Sequence, residues 1–286
     1  MSRSLEGRVA VVTGGGRGLG RGIAHELARL GASVVVNDFF VDADGVSAAD
    51  VVAHDIAAAG GRAVGNRDSV ADFASAERIV ASAVEAFGRL DILVTCAGTY
   101  QPSSILDVED AEWDSITSTH LAGHTACLRA AAARMKAQGG GGRIVTVSSR
   151  GGLFGFQVAY AGAKAGVMGL TSSAALELAE DGITVNCLLP SAQTQLFTSD
   201  ASARRFGGMP ESLHMEPEHI APLVGYLCLD EAGDVTGRFL YASGGDICVY
   251  EHPLRVEGHT TFVRNTGTWD VDGVAGYLPS LLGLAR

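Results

Sequence analysis

Six short apolar runs, separated by stretches with helical spacing, constrain the fold of this chain more than any other feature. Runs that are apolar on both faces and alternate with helices are typical of a parallel sheet built from βαβ units. The sequence therefore predicts an α/β fold with helices on both faces of the sheet. The runs are Val9–Val12, Val34–Val36, Ile92–Val94, Ile144–Val147, Val185–Leu189 and Phe239–Tyr241.

The segment Asp72–Phe87 has the clearest helical period. Its apolar residues recur on one face of a helix, as expected for a helix that packs on a sheet. They are Phe73, Ala76, Val80, Ala83, Val84 and Phe87. We find no linker, repeat or low-complexity tract in the sequence, so residues 1–286 are predicted to form a single domain.

A glycine-rich segment, Thr13–Gly20, follows the first apolar run. Glycines between the first strand and the first helix of a βαβ unit let the backbone turn sharply and approach a pyrophosphate. The N–H groups that begin the helix then face the phosphates. This pattern predicts a doubly wound Rossmann-type sheet of about seven strands in a three-layer α/β/α arrangement. The predicted cofactor-binding residues here are Gly14, Arg17, Gly18, Leu19 and Gly20.

Asp38 ends the second predicted strand. A carboxylate at this point accepts hydrogen bonds from the adenosine ribose and repels a 2′-phosphate, so Asp38 predicts NAD as the cofactor. Arg17 complicates this prediction, because a basic residue in the glycine-rich segment can favour NADP. With Asp38 present, we expect Arg17 to pair with that carboxylate or with the pyrophosphate.

Two further strand ends carry candidate cofactor-binding residues. Asp68 and Ser69 follow the third strand, where a carboxylate is suited to hydrogen-bond adenine. Asp68 is equally suited to cap the next helix, and the sequence leaves both interpretations open. Small residues after the fourth strand would let a cofactor lie against the backbone; they are Cys96, Ala97 and Gly98.

Tyr160 and Lys164 have the i,i+4 spacing that places both on one face of a helix. An ammonium beside a phenol favours the phenolate, so we expect the pKa of Tyr160 to fall toward neutrality. Tyr160 then becomes a plausible general acid and base. Taken alone, the pair fits an ordinary solvated helix face equally well.

The motifs together resemble the short-chain dehydrogenase/reductase family over roughly residues 5–246. The resemblance rests on the glycine pattern, on Cys96–Gly98, on a serine at the end of the fifth strand and on the Tyr160/Lys164 pair. It implies that Tyr160 moves the proton, that Lys164 binds the nicotinamide ribose and that Ser149 polarises the carbonyl. Ser148 is the competing serine, and the spacing from Ser149 to Tyr160 is two residues shorter than is usual in the family.

His120 stands where the family usually has an asparagine that takes part in a proton relay. A histidine can serve the same purpose if it titrates near neutrality, although a packed core histidine is the ordinary alternative. His120 and His124 have i,i+4 spacing, but no third ligand accompanies them, so no metal site is predicted.

The same region is similar to the (3R)-hydroxyacyl-CoA dehydrogenase unit of peroxisomal multifunctional enzyme type 2. That resemblance implies a 3-hydroxyacyl-CoA or a hydroxysteroid as substrate. The chain ends at Arg286, and we expect only the dehydrogenase unit to be present. A sugar, polyol or cyclic alcohol is the alternative substrate, and a non-catalytic NAD(H)-binding sensor is the alternative class.

The substrate end is predicted from the residues after the sixth strand. The resemblance assigns Pro190 and Thr194 to the cofactor, although Ser191 replaces the usual glycine. Residues 195–215 are expected to form a substrate lid, in which Arg204 and Arg205 are either CoA phosphate ligands or solvated charges. Residues 246–286 are expected to be a C-terminal extension that covers the pocket or contacts another subunit.

The net charge of −11, without any run of Lys or Arg to offset it, argues against nucleic acid and membrane partners. Five cysteines without metal or disulfide spacing are typical of a reducing compartment. We find no signal peptide, and expect a cytoplasmic homodimer or homotetramer that acts on a small alcohol or ketone.

Overall fold

The computed structural model describes residues 4–155, 157–194 and 215–250. Within these ranges, one mixed β-sheet has eight strands in the order β3-β2-β1-β4-β5-β6-β7-β8. The strands are β1 (Val9–Thr13), β2 (Ser33–Asn37), β3 (Arg62–Asn66), β4 (Ile92–Thr95), β5 (Gly142–Val147), β6 (Ile183–Pro190), β7 (Phe239–Ser243) and β8 (Asp246–Tyr250).

The first seven strands are parallel, and this confirms the predicted doubly wound Rossmann-type architecture. Chain order reverses at β1, where β2 lies on one side and β4 on the other. Ligands of such sheets bind in the crevice beyond the carboxyl ends of the strands at this reversal. The glycine-rich segment after β1 therefore lies at the expected ligand site.

An eighth strand, β8, adds to the predicted sheet of about seven strands and occupies the first residues of the predicted C-terminal extension. β8 pairs antiparallel with β7, with Ser243 opposite Asp246. Gly244 and Gly245 form the two-residue connection, and Gly244 has a φ of +53°. Two-residue hairpin turns require positive φ, which glycine adopts at no steric cost. We missed this short strand because its residues are largely exposed and show no core pattern.

Eight α-helices lie among the described residues. They are α1 (Gly18–Arg29), α2 (Ala48–Ala58), α3 (Phe73–Phe87), α4 (Asp110–Ile116), α5 (Gly123–Gln138), α6 (Gly151–Phe154), α7 (Val158–Glu177) and α8 (Ala221–Cys228). A π-helical turn, Thr117–Ala122, joins α4 to α5.

Alternate residues along each strand face two separate apolar cores. Ala10 and Val12 of β1 pack with α1, α2 and α8, whereas Val9 and Val11 pack with α3, α5 and α7. Successive side chains of a strand point to opposite faces, so a strand buried on both sides needs a helix layer on each. The predicted three-layer arrangement is thereby confirmed.

Helix α3 matches the predicted segment, with one error in its apolar stripe. Asp72 caps the helix by accepting a hydrogen bond from the Ser75 N–H at 2.8 Å, and Gly88 ends it in the left-handed conformation. Ile79 and Val80 are buried, but Phe73 is 41% exposed. Phe73 lies in the first turn, beyond the sheet, and packs instead under the Arg129 guanidinium.

The compact unit that contains the sheet ends at Tyr250. The remainder of the predicted C-terminal extension, residues 251–286, lies outside the described residues, as do residues 195–214 of the predicted lid with Arg204 and Arg205. Within the described part of the chain, no helix is both long enough and apolar enough to cross a bilayer.

Candidate active site

Two glycines of the segment after β1, Gly14 and Gly20, have no room for a side chain. A Cβ on Gly14, whose φ is +64°, would lie 2.7 Å from the Ala97 Cα, and one on Gly20 would lie 2.1 Å from the Gly14 carbonyl oxygen. The Thr13 hydroxyl also accepts the N–H groups of Cys96 and Ala97, at 3.2 and 3.3 Å. The predicted cofactor segments after β1 and β4 therefore meet, and α1 begins at Gly18 beside them.

Asp38 lies at the carboxyl end of β2 and is buried. Its carboxylate accepts the Gly16 N–H at 3.2 Å and the Phe40 N–H at 3.0 Å. Arg17 Nε lies 3.8 Å from Asp38 Oδ2, and the Arg17 guanidinium stacks 4.0 Å from the centre of the Phe40 ring. The expected pairing of Arg17 with Asp38 is thus present, as charge attraction across a distance too long for a hydrogen bond.

A cavity of about 380 Å³ lies beside the glycine-rich segment, with Gly16 in its lining. Arg17, Gly18, Phe40 and Val52 are among the residues that line it. It opens beside the N-terminus of α1, where N–H groups favour an anion. Because a Cβ at Gly16 would lie 2.9 Å from Asp38 Oδ2, only glycine lets the backbone come this close to the carboxylate. The chain's residues here fit the adenosine and phosphate parts of a dinucleotide.

Asp68 does not cap a helix, since Asp72 occupies the capping position of α3. The Asp68 carboxylate accepts hydrogen bonds from Arg78 Nε at 2.8 Å and from Asn66 Nδ2 at 3.1 Å. The Ser69 hydroxyl accepts the Ala71 N–H at 3.2 Å. The capping alternative is therefore wrong, and the proposed adenine contact of Asp68 stays a prediction.

Ser149 lies close enough to the Tyr160 phenol to act on it by hydrogen bonding, which works to lower the pKa of the phenol. The Ser149 hydroxyl also accepts the Gly151 N–H at 3.0 Å, which fixes its position after β5. Ser148 lies differently, because its buried hydroxyl donates to the Lys164 carbonyl oxygen at 2.6 Å. Of the two candidate serines, Ser149 is thus the one that contacts the phenol.

Tyr160 and Lys164 are both buried on α7, so the solvated-face alternative is wrong. Lys164 Nζ donates to the Val147 carbonyl oxygen at 2.8 Å and lies 5.7 Å from the centre of the Tyr160 ring. Burial lowers the pKa of Lys164 to about 8. A buried ammonium loses the hydration that favours its charged form.

Burial also raises the pKa of Tyr160 to about 12, only partly offset by the hydrogen bond from Ser149. The expected fall toward neutrality is therefore wrong for this structure. The sequence indicated the nearby ammonium, but it did not reveal that the phenol would be removed from water. Desolvation penalises the phenolate more than the surrounding groups stabilise it.

His120 lies in the π-helical turn, a deviation often found at functional sites. Its ring is edge-on to Tyr160, with centroids 5.3 Å apart, and Nε2 is 2.7 Å from the Thr99 carbonyl oxygen. A Cβ on Gly98 would lie 2.6 Å from His120 Cε1. Burial and the Lys164 charge hold the pKa of His120 well below its usual 6.5, so the expected titration near neutrality is wrong.

Tyr100 escaped the sequence analysis, and His124 was considered there only as a partner of His120 in a metal site. Tyr100 presents its ring edge-on to Tyr160 at 5.8 Å, and its position two residues after Gly98 was the only signal. His124 Nε2 lies 3.3 Å from the same Val147 carbonyl that accepts from Lys164, and burial lowers the pKa of His124 to about 3. The part of the chain that the structure describes contains no group of three potential metal ligands.

The predicted nicotinamide end lies next to the glycine-rich segment. Pro190 ends β6, and Thr194 approaches within 3.5 Å of the position that a Cβ would take on Gly18. Leu19, the remaining predicted residue of this segment, belongs to α1 and is buried in the core that this helix covers. All predicted cofactor residues therefore lie along the carboxyl edge of the sheet or just behind it.

Three comparisons with known proteins give one result. The sequence profile described as short chain dehydrogenase matches residues 8–204. The chain is 38% identical to hydroxyacyl-CoA dehydrogenase ChsB1 of Mycobacterium tuberculosis, over 87% of this chain and 81% of that protein. It is 39% identical to an L-rhamnose 1-dehydrogenase (NAD(P)(+)) of Azotobacter vinelandii, over 83% of this chain and 96% of that protein.

It is also 40% identical to peroxisomal multifunctional enzyme type 2 of Drosophila melanogaster, over 84% of this chain, but it spans only 39% of that relative's length. Among solved structures, a short chain dehydrogenase from Mycobacterium avium superposes with a TM-score of 0.85 at 38% identity. The superposition covers 99% of this chain and 96% of that one.

Proposed function

The chain belongs to the short-chain dehydrogenase family of oxidoreductases that act on alcohols, and we propose that it interconverts a secondary alcohol and a ketone with NAD. The observation that carries the proposal is the buried Tyr160 phenol placed beside Ser149, which acts to lower the pKa of the phenol, and beside Lys164, whose Nζ is 5.7 Å from the ring centre. A non-catalytic sensor would have no use for a buried, hydrogen-bonded phenol at this point.

A bound NAD would supply the acceptor for the hydride that leaves the alcohol carbon in the proposed reaction. In the direction of oxidation the Tyr160 phenolate takes the proton from the alcohol oxygen, and in the direction of reduction the phenol returns its proton to the substrate oxygen. Ser149 orients that oxygen, because its hydroxyl already contacts the phenol. Lys164 holds a positive charge near the ring, which favours the phenolate against the effect of burial.

The role of His120 differs from the titrating proton relay predicted from the sequence. Its neutral ring has Nδ1 buried without a hydrogen-bond partner among the described residues. We propose that His120 shapes the wall beside Tyr160 and offers a neutral hydrogen-bonding group there. Proton exchange through a charged imidazolium would oppose both its burial and the nearby Lys164 charge.

Asp38 supports the choice of NAD over NADP. Its buried carboxylate is held by two backbone N–H groups, so it cannot easily move away from a ribose hydroxyl. A 2′-phosphate would bring further negative charge next to it. Arg17 does not overturn this choice, since it already faces the carboxylate and the Phe40 ring.

We propose that the substrate is a 3-hydroxyacyl thioester of CoA or, as the related possibility, a hydroxysteroid. The support is the similarity to a hydroxyacyl-CoA dehydrogenase over most of both chains. A sugar is the alternative to both, because the chain is similar to the L-rhamnose 1-dehydrogenase to the same extent. Cytoplasmic location and a homodimer or homotetramer remain predictions, and light scattering of the purified protein would test the second.

The test is a screen for NADH formation with (3R)-3-hydroxydecanoyl-CoA, testosterone and L-rhamnose. Tyr160→Phe should lower kcat by about a thousandfold or more while NADH still binds, since only the proton-transferring oxygen is lost. Tyr226→Phe is the matched control, because Tyr226 is 40% exposed on α8, and it should leave kcat unchanged. Turnover by Tyr160→Phe at the wild-type rate would refute the proposed role.

A further inference from the structure

Arg150 directly follows Ser149, yet its side chain interacts with Ser191 just after β6, with Tyr241 of β7 and with Tyr250 of β8. Only 5% of the residue is exposed, although arginine is rarely buried without a specific function. Nη2 donates to the Ser191 hydroxyl at 3.0 Å, and the guanidinium lies 4.6 Å from the centre of the Tyr241 ring. Its charge also acts on the Tyr250 hydroxyl of β8.

These contacts join the loop that bears Ser149 to the segment Pro190–Thr194. The Ser191 N–H donates to the Ala242 carbonyl oxygen at 3.0 Å, so Ser191 is tied to β7 by its backbone and to Arg150 by its side chain. Thr194, three residues on, approaches Gly18 at the start of α1. One side chain thus connects both walls of the proposed nicotinamide pocket.

The Arg150–Ser191 contact also gives a physical reason for the serine at position 191. A glycine there would have no hydroxyl to receive the guanidinium N–H, and a buried donor would lose its partner. Hydrogen bonds to charged groups are stronger than neutral ones and define a geometry, because the guanidinium is planar. Stacking on Tyr241 restrains the same plane from a second direction.

We propose that Arg150 is a positioning residue that clamps the Ser149 loop to the 190–194 segment and so keeps Ser149 in line with Tyr160 and the cofactor. The Gly151 N–H, which donates to Ser149 Oγ, is the next backbone group in the same loop. Movement of Arg150 would therefore be transmitted within two residues to the serine hydroxyl. The proposal rests on the proposed function, in which Ser149 orients the alcohol oxygen.

Arg150→Met tests the clamp, because it removes the guanidinium and keeps a long apolar side chain. Arg143→Met is the matched control: Arg143 lies at the amino end of β5, its side chain is 14% exposed, and its Nε donates to the Leu229 carbonyl at 3.2 Å. Each variant loses a largely buried arginine at one end of β5, but only Arg150 lies next to Ser149.

Hydrogen exchange measures the clamp without any substrate. In Arg150→Met, the N–H groups of Ser191 and Gly151 should exchange at least about tenfold faster than in the wild type, as expected for local opening. Arg143→Met should leave both rates unchanged. Equal protection of these two amides in wild type and Arg150→Met would overturn the proposal, whatever the enzyme turns out to oxidise.

Turnover of (3R)-3-hydroxydecanoyl-CoA with NAD then separates positioning from folding. At a temperature where all variants are folded, Arg150→Met should lower kcat roughly ten- to a hundredfold, since small displacements of catalytic groups have effects of this size. Arg150→Lys should recover part of the loss. Ser191→Ala should lower kcat less than Arg150→Met does. Adding Ser191→Ala to Arg150→Met should lower kcat little further, because both substitutions remove the same hydrogen bond.

The outcomes are distinguishable. Faster exchange with unchanged kcat in Arg150→Met would refute the positioning role and leave the proposed function intact. Independent, multiplicative effects of Arg150→Met and Ser191→Ala would show that the two residues do not act through their hydrogen bond, and would also overturn the clamp. A wild-type protein that oxidises none of the tested alcohols would refute the proposed substrate classes, while the exchange rates would still decide whether the clamp exists.

Discussion

Replacing Lys164 by methionine should make the folded protein more stable while it removes activity. Lys164 is 4% exposed, and among the described residues its ammonium donates to one acceptor, the Val147 carbonyl oxygen at 2.8 Å. Methionine has similar length and fits irregular apolar surroundings. The substitution therefore removes the buried charge with little change of packed volume, and His124 still contacts the Val147 carbonyl.

The magnitude follows from the pKa of Lys164. Burial lowers it from 10.5 to about 8, which corresponds to about 3 kcal/mol of unfavourable free energy for the charged form in the folded state. The lost hydrogen bond to Val147 offsets about 1.5 kcal/mol of this. At neutral pH, Lys164→Met should thus raise the free energy of unfolding by about 1 to 2 kcal/mol.

The pH dependence gives a sharper test than the stability at a single pH. Below about 8 the lysine is protonated in both states, so its full penalty is present. Between about 8 and 10.5 the unfolded chain binds more protons than the folded one, so wild-type stability rises relative to the variant. The advantage of Lys164→Met should therefore shrink with rising pH, reach zero between about 9 and 10, and reverse above 10.5, where the uncharged lysine has no penalty and keeps its hydrogen bond.

Urea unfolding of the wild type and Lys164→Met at pH values from 7 to 10 measures the difference. Lys136→Met is the control, because Lys136 is an exposed lysine paired with Asp181 and should show no such gain at neutral pH. A Lys164→Met protein that is less stable than the wild type at neutral pH, or a stability difference that stays constant up to pH 10, would refute the reasoning.

Three other substitutions test separate parts of the structure. Asp38→Ala should reduce the preference for NAD over NADP, measured as the ratio of kcat/KM values, by about tenfold or more because the 2′-phosphate is no longer repelled; an unchanged ratio contradicts the role of Asp38. Gly98→Ala places a Cβ 2.6 Å from His120 Cε1, so it should lower stability by about 1 to 3 kcal/mol and reduce turnover; full activity would mean that the His120 ring position is unimportant. Asp91→Ala removes a buried carboxylate that accepts the Val9 N–H at 2.9 Å and contacts Arg89. It should lower the free energy of unfolding by about 2 to 4 kcal/mol. Below the melting temperature, kcat should be unchanged.

Much of the fold was predictable because strand and helix patterns are local. A run such as Val34–Val36 is apolar on both faces whatever surrounds it, and this property requires a sheet covered on two sides. The positions of Gly14 and Asp38 followed from the same local logic, since each lies at the end of a predicted strand. β8 was missed because its residues are mostly exposed, so pairing with β7 and the Gly244–Gly245 turn define it rather than its own composition.

The features of the candidate site likewise divide into those that the sequence predicts and those that only the tertiary structure decides. The sequence by itself determined that Tyr160 and Lys164 share a helix face, because helix geometry depends only on spacing. Only the tertiary structure decided how deeply they are buried, and burial sets the direction of their pKa values. The same holds for Arg150 and Ser191, which are 41 positions apart in the chain and meet across strand ends. Electrostatic energies depend on the whole surroundings of a group in space, and no short stretch of sequence contains those surroundings.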